Sequence, residues 1–103
     1  LATEYGALAT HGAVYTTAPG AAAGTEPSGG TPAYARKPLT WSAPTDGVIT
    51  ASAVFDVPED TTIVGTGLHD ALTGGNYIDG QVESSVTFDA QDTVTVNYSY
   101  TQV

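Results

Sequence analysis

The chain has 103 residues, a length suited to one domain with one modest core. Two basic residues stand against eleven carboxylates, a formal net charge of −9, which excludes the cation clusters that nucleic acid and anionic membrane surfaces require. With no cysteine there is neither a disulfide framework nor a thiolate metal site, and with only two Phe, one Trp and six Tyr the core is expected to be thin.

Twelve glycines and six prolines imply many turns, and the prevalence of Thr, Val, Ile and Tyr over strong helix formers favours strands. The first eight residues are too short a pattern to choose between a helical turn and a segment lying on a partner. Leu8 to Thr16 reads as a strand that stops at Pro19-Gly20. Residues 18–33 hold no large apolar side chain and seven Gly or Pro, so they are expected to form an extended loop or arm able to reach a neighbour.

Tyr34 to Trp41 reads as a strand with Leu39 and Trp41 on one face and Tyr34, Arg36 and Thr40 on the other. Pro38 cannot donate a ladder hydrogen bond, which places this strand at an edge or at a bulge. After the turn Ala43-Pro44-Thr45-Asp46-Gly47, Val48 to Val57 is a strand bounded by Pro58-Glu59-Asp60. Thr61 to His69 is the next, and its Gly65 and Gly67 share a face, which predicts the close approach of another backbone or of an aromatic ring. Thr73-Gly74-Gly75-Asn76 marks a turn, followed by short strands over Tyr77–Val82 and Ser85–Phe88. Thr93 to Val103 alternates most cleanly, with Val94, Val96, Tyr98 and Tyr100 on one face. Seven or so strands without an amphipathic helix predict an all-β, single-domain antiparallel β-sandwich over residues 1–103, with a jelly-roll connection among its options.

Chemistry-bearing motifs are sparse. Gly65-Thr66-Gly67-Leu68-His69-Asp70 lacks the third glycine and the following helix of a dinucleotide loop. His69-Asp70 and His11 have no Ser elbow or Cys nucleophile to serve. The pairs Glu59/Asp60 and Asp89/Asp92 lie in turn-like sequence, where such residues make local hydrogen bonds, and match no calcium loop. The expectation is no catalytic residue, no cofactor and no metal.

Several strings carry a resemblance. They are His11-Gly12-Ala13-Val14-Tyr15-Thr16-Thr17-Ala18-Pro19-Gly20, the stretch Ser28-Gly29-Gly30-Thr31-Pro32-Ala33-Tyr34-Ala35-Arg36-Lys37-Pro38-Leu39-Thr40-Trp41, Phe55-Asp56-Val57-Pro58, and Leu68-His69-Asp70-Ala71-Leu72-Thr73-Gly74-Gly75-Asn76. Together they resemble a group of small proteins from tailed phages and prophages of actinobacteria, labelled tail fibre or minor virion proteins. The resemblance implies a virion component, on capsid or tail, and transfers no catalytic constellation.

A thin core, a Gly/Pro/Ala-rich arm and a Pro-bearing edge strand suit a protein that completes its burial against copies of itself and an underlying shell. Arg36 and Lys37, beside Tyr34 and Trp41, form the candidate interface, because Arg and aromatic side chains concentrate at interface centres. The bland alternative for these four is an ordinary strand with a core Trp and solvated cations. The leading expectation is a capsid decoration protein, a homo-oligomer taken as a trimer, bound to the major capsid protein on the outer surface of the capsid. The alternatives are a tail-fibre or tail-tip component bound to tail proteins, and a carbohydrate-binding module presenting Tyr15, Tyr34, Trp41 or Tyr77 to sugars.

Overall fold

The computed structural model describes residues 7–101. The expectation for the first six residues, and for the last two of the terminal strand, lies outside the described residues. Six strands follow in order: β1 (His11–Tyr15), β2 (Lys37–Pro38), β3 (Val48–Val57), β4 (Thr61–His69), β5 (Tyr77–Phe88) and β6 (Asp92–Thr101). They form a four-stranded sheet ordered β2-β1-β4-β5 and a two-stranded sheet of β3 and β6, antiparallel throughout.

The two sheets pack face to face because their strands alternate. In β3 the inward residues Ile49, Ala51, Ala53, Phe55 and Val57 are buried, while Thr50, Ser52 and Val54 point out. Phe55, Val57 and Ala53 meet Val14 of β1 and Ile63 of β4 in one cluster, with Tyr34, Leu39, Phe88, Val94 and Val96 against it. A second cluster joins Ala9, Leu68 and Tyr98, flanked by Trp41, Leu39, Ile78 and Val96. Tyr98 is a pillar of β6. Its hydroxyl donates to the Ala13 carbonyl at 3.3 Å, and a methyl group on Gly12 would come 2.7 Å from that oxygen.

The other face of the larger sheet is also covered. Tyr15 points away from the main core, yet it is fully buried. Its partner across the ladder is Gly65, and its ring runs on over Gly67 to place the hydroxyl on His69 Nε2. The aromatic ring foretold by the paired glycines is therefore Tyr15. Pro19 fills the space above Gly65 and Gly80, and the Tyr77 hydroxyl donates to the Gly20 carbonyl at 2.8 Å. Tyr15, His69 and Tyr77 meet edge to face, with centroids 5.7–6.5 Å apart. A loop laid over a glycine trough thus makes a small third layer.

Three expectations are corrected. The strand expected over Tyr34–Trp41 shrinks to Lys37–Pro38, because Tyr34 and Arg36 are drawn towards Glu26 and only the short stretch beside β1 pairs. Pro38 does lie in an edge strand. The segments Tyr77–Val82 and Ser85–Phe88 are one strand, interrupted by an irregularity where Gly65 faces Val82 and Ile63 faces Val86. The seven or so strands expected are six among the described residues, in a four-plus-two arrangement.

The trough makes a specific demand on stability. Gly67→Ala drives a methyl group into the buried Tyr15 ring, whereas Gly20→Ala meets nothing within 4 Å. The expected loss for Gly67→Ala is about 1–3 kcal/mol, a fall of roughly 4–8 °C in Tm per kcal/mol, while Gly20→Ala stays within about 0.5 kcal/mol of the parent. Thermal unfolding followed by circular dichroism measures both.

Candidate functional site

The four residues of the candidate interface are held in three separate places. Tyr34 stacks on Phe55, with centroids 6.3 Å apart and planes at 24°, and its hydroxyl donates to Glu26 Oε1 at 2.7 Å while accepting from the Val14 N–H at 3.2 Å. Arg36 grips the same carboxylate with Nε and Nη2, the latter at 2.9 Å, and its Nη1 donates to the carbonyls of Ala71 and Gly74 at 3.0 and 2.9 Å. Lys37 reaches Asp56 instead, at 3.5 Å. Trp41 donates Nε1–H to the Ala9 carbonyl at 2.7 Å and lies edge-on to Tyr98. Tyr34 and Arg36 are thus brought together through Glu26, and Lys37 and Trp41 are not part of that group.

Glu26, which the sequence reading left unassigned, organises this site. It is the only carboxylate within the loop 18–33 and it stands ten residues before one of only two cations, which is the signal that could have found it. The Arg36 and Glu26 side chains retain only 12% and 23% of their exposure, so the bidentate pair is more than an exposed surface contact. Burial alone would raise the Glu26 carboxyl, but the hydrogen bonds from Arg36 and Tyr34 outweigh it and lower its pKa below 4.5. The same carboxylate raises Arg36, and burial with Glu26 pushes the Tyr34 phenol well above its usual range.

Arg36 links two loops. The 70–76 turn closes on itself, with Asp70 accepting from the Asn76 backbone at 2.6 Å and from its side-chain amide at 2.9 Å, and with Gly74 and Gly75 at positive φ. Asp70 is therefore turned to Asn76, away from any relay with His69. Burial, followed by the nearby Arg36 charge, lowers the His69 pKa below 6.5, so the ring is held neutral against Tyr15. At its far end the loop is held by Gln91, whose side chain accepts from the Thr31 N–H at 3.1 Å and donates to the Pro32 carbonyl at 3.2 Å. The stretch expected as an arm lies along its own domain.

The aromatics proposed as a sugar platform are likewise turned to internal contacts: Tyr15 on His69, Tyr34 on Phe55, Trp41 on Tyr98 and Tyr77 on Gly20. Among the described residues no three His, Cys, Asp or Glu side chains converge as metal ligands. A shallow cavity of about 380 Å³ beside the Glu26–Arg36 pair is walled by Pro27, Ala35, Leu72 and Thr73.

Residues 5–103 match the family described as Podophage GP4 fiber I protein gp80. The match spans both sheets, the covering loop and its Arg36 lock, and the chain belongs to that family. No curated protein and no solved structure matches.

Among the described residues three groups have lowered pKa values, the exposed Asp70 through its hydrogen bonds from Asn76 and the more enclosed His69 and Glu26, and the latter two set the main acid behaviour. A group whose pKa is depressed on folding contributes its stability above its unfolded value and loses it as the pH falls towards the folded one. Stability is therefore expected to fall in two steps, below about 6.5 as His69 is forced to charge and below about 4.5 as Glu26 is protonated. Urea unfolding across this range checks it: His69→Gln should remove the upper step and Glu26→Gln the lower, the latter at a cost of about 1–3 kcal/mol at neutral pH.

Proposed function

We propose that this chain, as a member of a podophage fibre family, is a non-enzymatic structural component of the virion's tail fibre apparatus. The observation that carries this reading is the extent of the match, which takes in nearly the whole chain. The geometry is in keeping with it. Both histidines and the Asp70, Glu26 and Arg36 side chains make local or fold-closing contacts, His11 with Thr10 and His69 with the buried Tyr15 hydroxyl.

A tail location is preferred to capsid decoration because the family is named for a fibre. The acidic surface also fits a passive structural part. With Arg36 and Lys37 both in internal ion pairs, the exposed charge is almost wholly carboxylate, which favours solubility and disfavours nucleic acid.

Purified virions labelled with gold-conjugated antibody against this chain test the proposal. Label is expected at the tail fibres, in few copies per particle. Label spread over the capsid in hundreds of copies would replace this reading with decoration, and a particle lacking the chain would overturn both.

A further inference from the structure

The two-stranded sheet is too narrow to cover the four-stranded one. β3 lies against β1 and β2, β6 reaches β1 and β4 through Tyr98 and Val96, and none of the twelve residues of β5 is buried. Val86 shows the consequence. It pairs with the core residue Ile63 and so shares the inward face of its sheet, yet it keeps 48% of its exposure. Two cavities of about 260 and 130 Å³ run between β5 and β6, and because Thr66, Glu83 and Asn97 line both, they form one groove. Its halves are unlike. One opens onto Val14 and Ile63 between Val86 and Val94, whereas in the other Asp79 and Glu83 of β5 stand across from Tyr98 and Tyr100 of β6.

The β6 side of this groove is an open ladder. Among the described residues β6 pairs only with β3, and in an antiparallel pair every second residue turns its N–H and C=O to the far side. From Thr93 to Thr101 the strand has no charge, proline or glycine, the devices that usually close an edge. The β5 side supplies negative charge. Asp79 accepts from the adjacent Gly80 N–H at 2.8 Å, and among the described residues neither it nor Glu83 meets a cation, since Arg36 is paired with Glu26 and Lys37 with Asp56.

We infer that the groove receives an extended segment of another protein, paired with β6 as an added strand and carrying Lys or Arg towards Glu83 and Asp79. Geometry admits a single strand where it forbids a whole domain. A strand beside β6 takes the uncovered place over β5, about 4.8 Å from β6 and about 10 Å from the sheet beneath, while a second sandwich paired at β6 would drive its own long sheet into β5. Main-chain pairing supplies the hold, and the groove reads alternate side chains. Residues two apart on a strand share a face, so the inward positions are aliphatic over Val86 and Val94 and then cationic as the segment passes Glu83. A copy of this chain is a poor donor. Its two cations are engaged and its net charge is −9, which would set carboxylates against carboxylates.

The inference stands on the open side of the domain and not on the fibre assignment, so it is tested in solution. The probe is an end-blocked octapeptide, Thr-Val-Thr-Val-Thr-Lys-Thr-Lys, titrated into the isotope-labelled chain and followed by amide NMR. Binding is expected with a Kd below about 1 mM, with shift changes along Thr93–Thr101 and at Ile63, Thr66 and Val86. Replacing both lysines of the peptide by Glu, or making Asp79→Asn with Glu83→Gln in the protein, should weaken binding about fivefold or more, with the thermal unfolding of the variant unchanged. The charge-matched control Asp46→Asn with Glu59→Gln, which lies outside the groove, should bind as the parent does. No binding at about 1 mM, shifts that map to other strands, or equal affinity for the Lys and Glu peptides overturns the inference. So does a chain that already associates with itself through these same amides before peptide is added. None of these results bears on where the virion label is found.

Discussion

The structure depends on the burial of one ring. Tyr15 lies on the face of its sheet that would ordinarily meet water, and it is buried only because Gly67 leaves room beneath it and Pro19 with its loop closes the trough beside it. A chain this poor in large apolar residues cannot fill one thick core, and it distributes its aromatics as single pillars instead. Phe55 and Tyr34 form one ring pair of the sandwich, Trp41 and Tyr98 a second, and Tyr15 with Tyr77 the outer layer. Each pillar has a glycine, an alanine or a second ring opposite it, so small residues are as necessary to the packing as large ones.

Polar contacts complete what apolar area leaves unfinished. The Glu26–Arg36 pair, the Tyr34 hydroxyl, the Asp70–Asn76 closure and the Gln91 clasp tie four stretches of irregular chain to the sheets. No buried side-chain polar atom among the described residues lacks a partner. The two cations stand in ion pairs within the domain, Arg36 with Glu26 and the more exposed Lys37 with Asp56.

Much of this was legible in the sequence, for reasons particular to each element. Val48–Val57 and Thr61–His69 are bounded as read, because Asp46-Gly47 and Asp60 adopt the positive φ of tight turns at their ends. The trough was legible because two glycines on one strand face imply a large neighbour. The Tyr34–Trp41 stretch misled because alternation there reflects side chains drawn to Glu26 and the core, not a paired ladder. Glu83-Ser84-Ser85 hid the continuity of β5, since three residues against one erase the two-residue period. The candidate site was legible only as a set of residue types. The partners of Arg36 are 10 to 38 residues distant along the chain, and only the closure of two loops brings them to it.

The strand edges of this molecule are guarded to different degrees. Edge pairing normally risks open-ended growth, since each added strand presents a new edge. Here the β3 edge of the short sheet is covered at its start by residues 42–45. The longer sheet ends in a two-residue strand with a proline on one side and in a bulged, acidic strand on the other. Repulsion between copies of charge −9 acts against their approach. The same acidity that favours solubility therefore opposes association wherever carboxylates would be brought together.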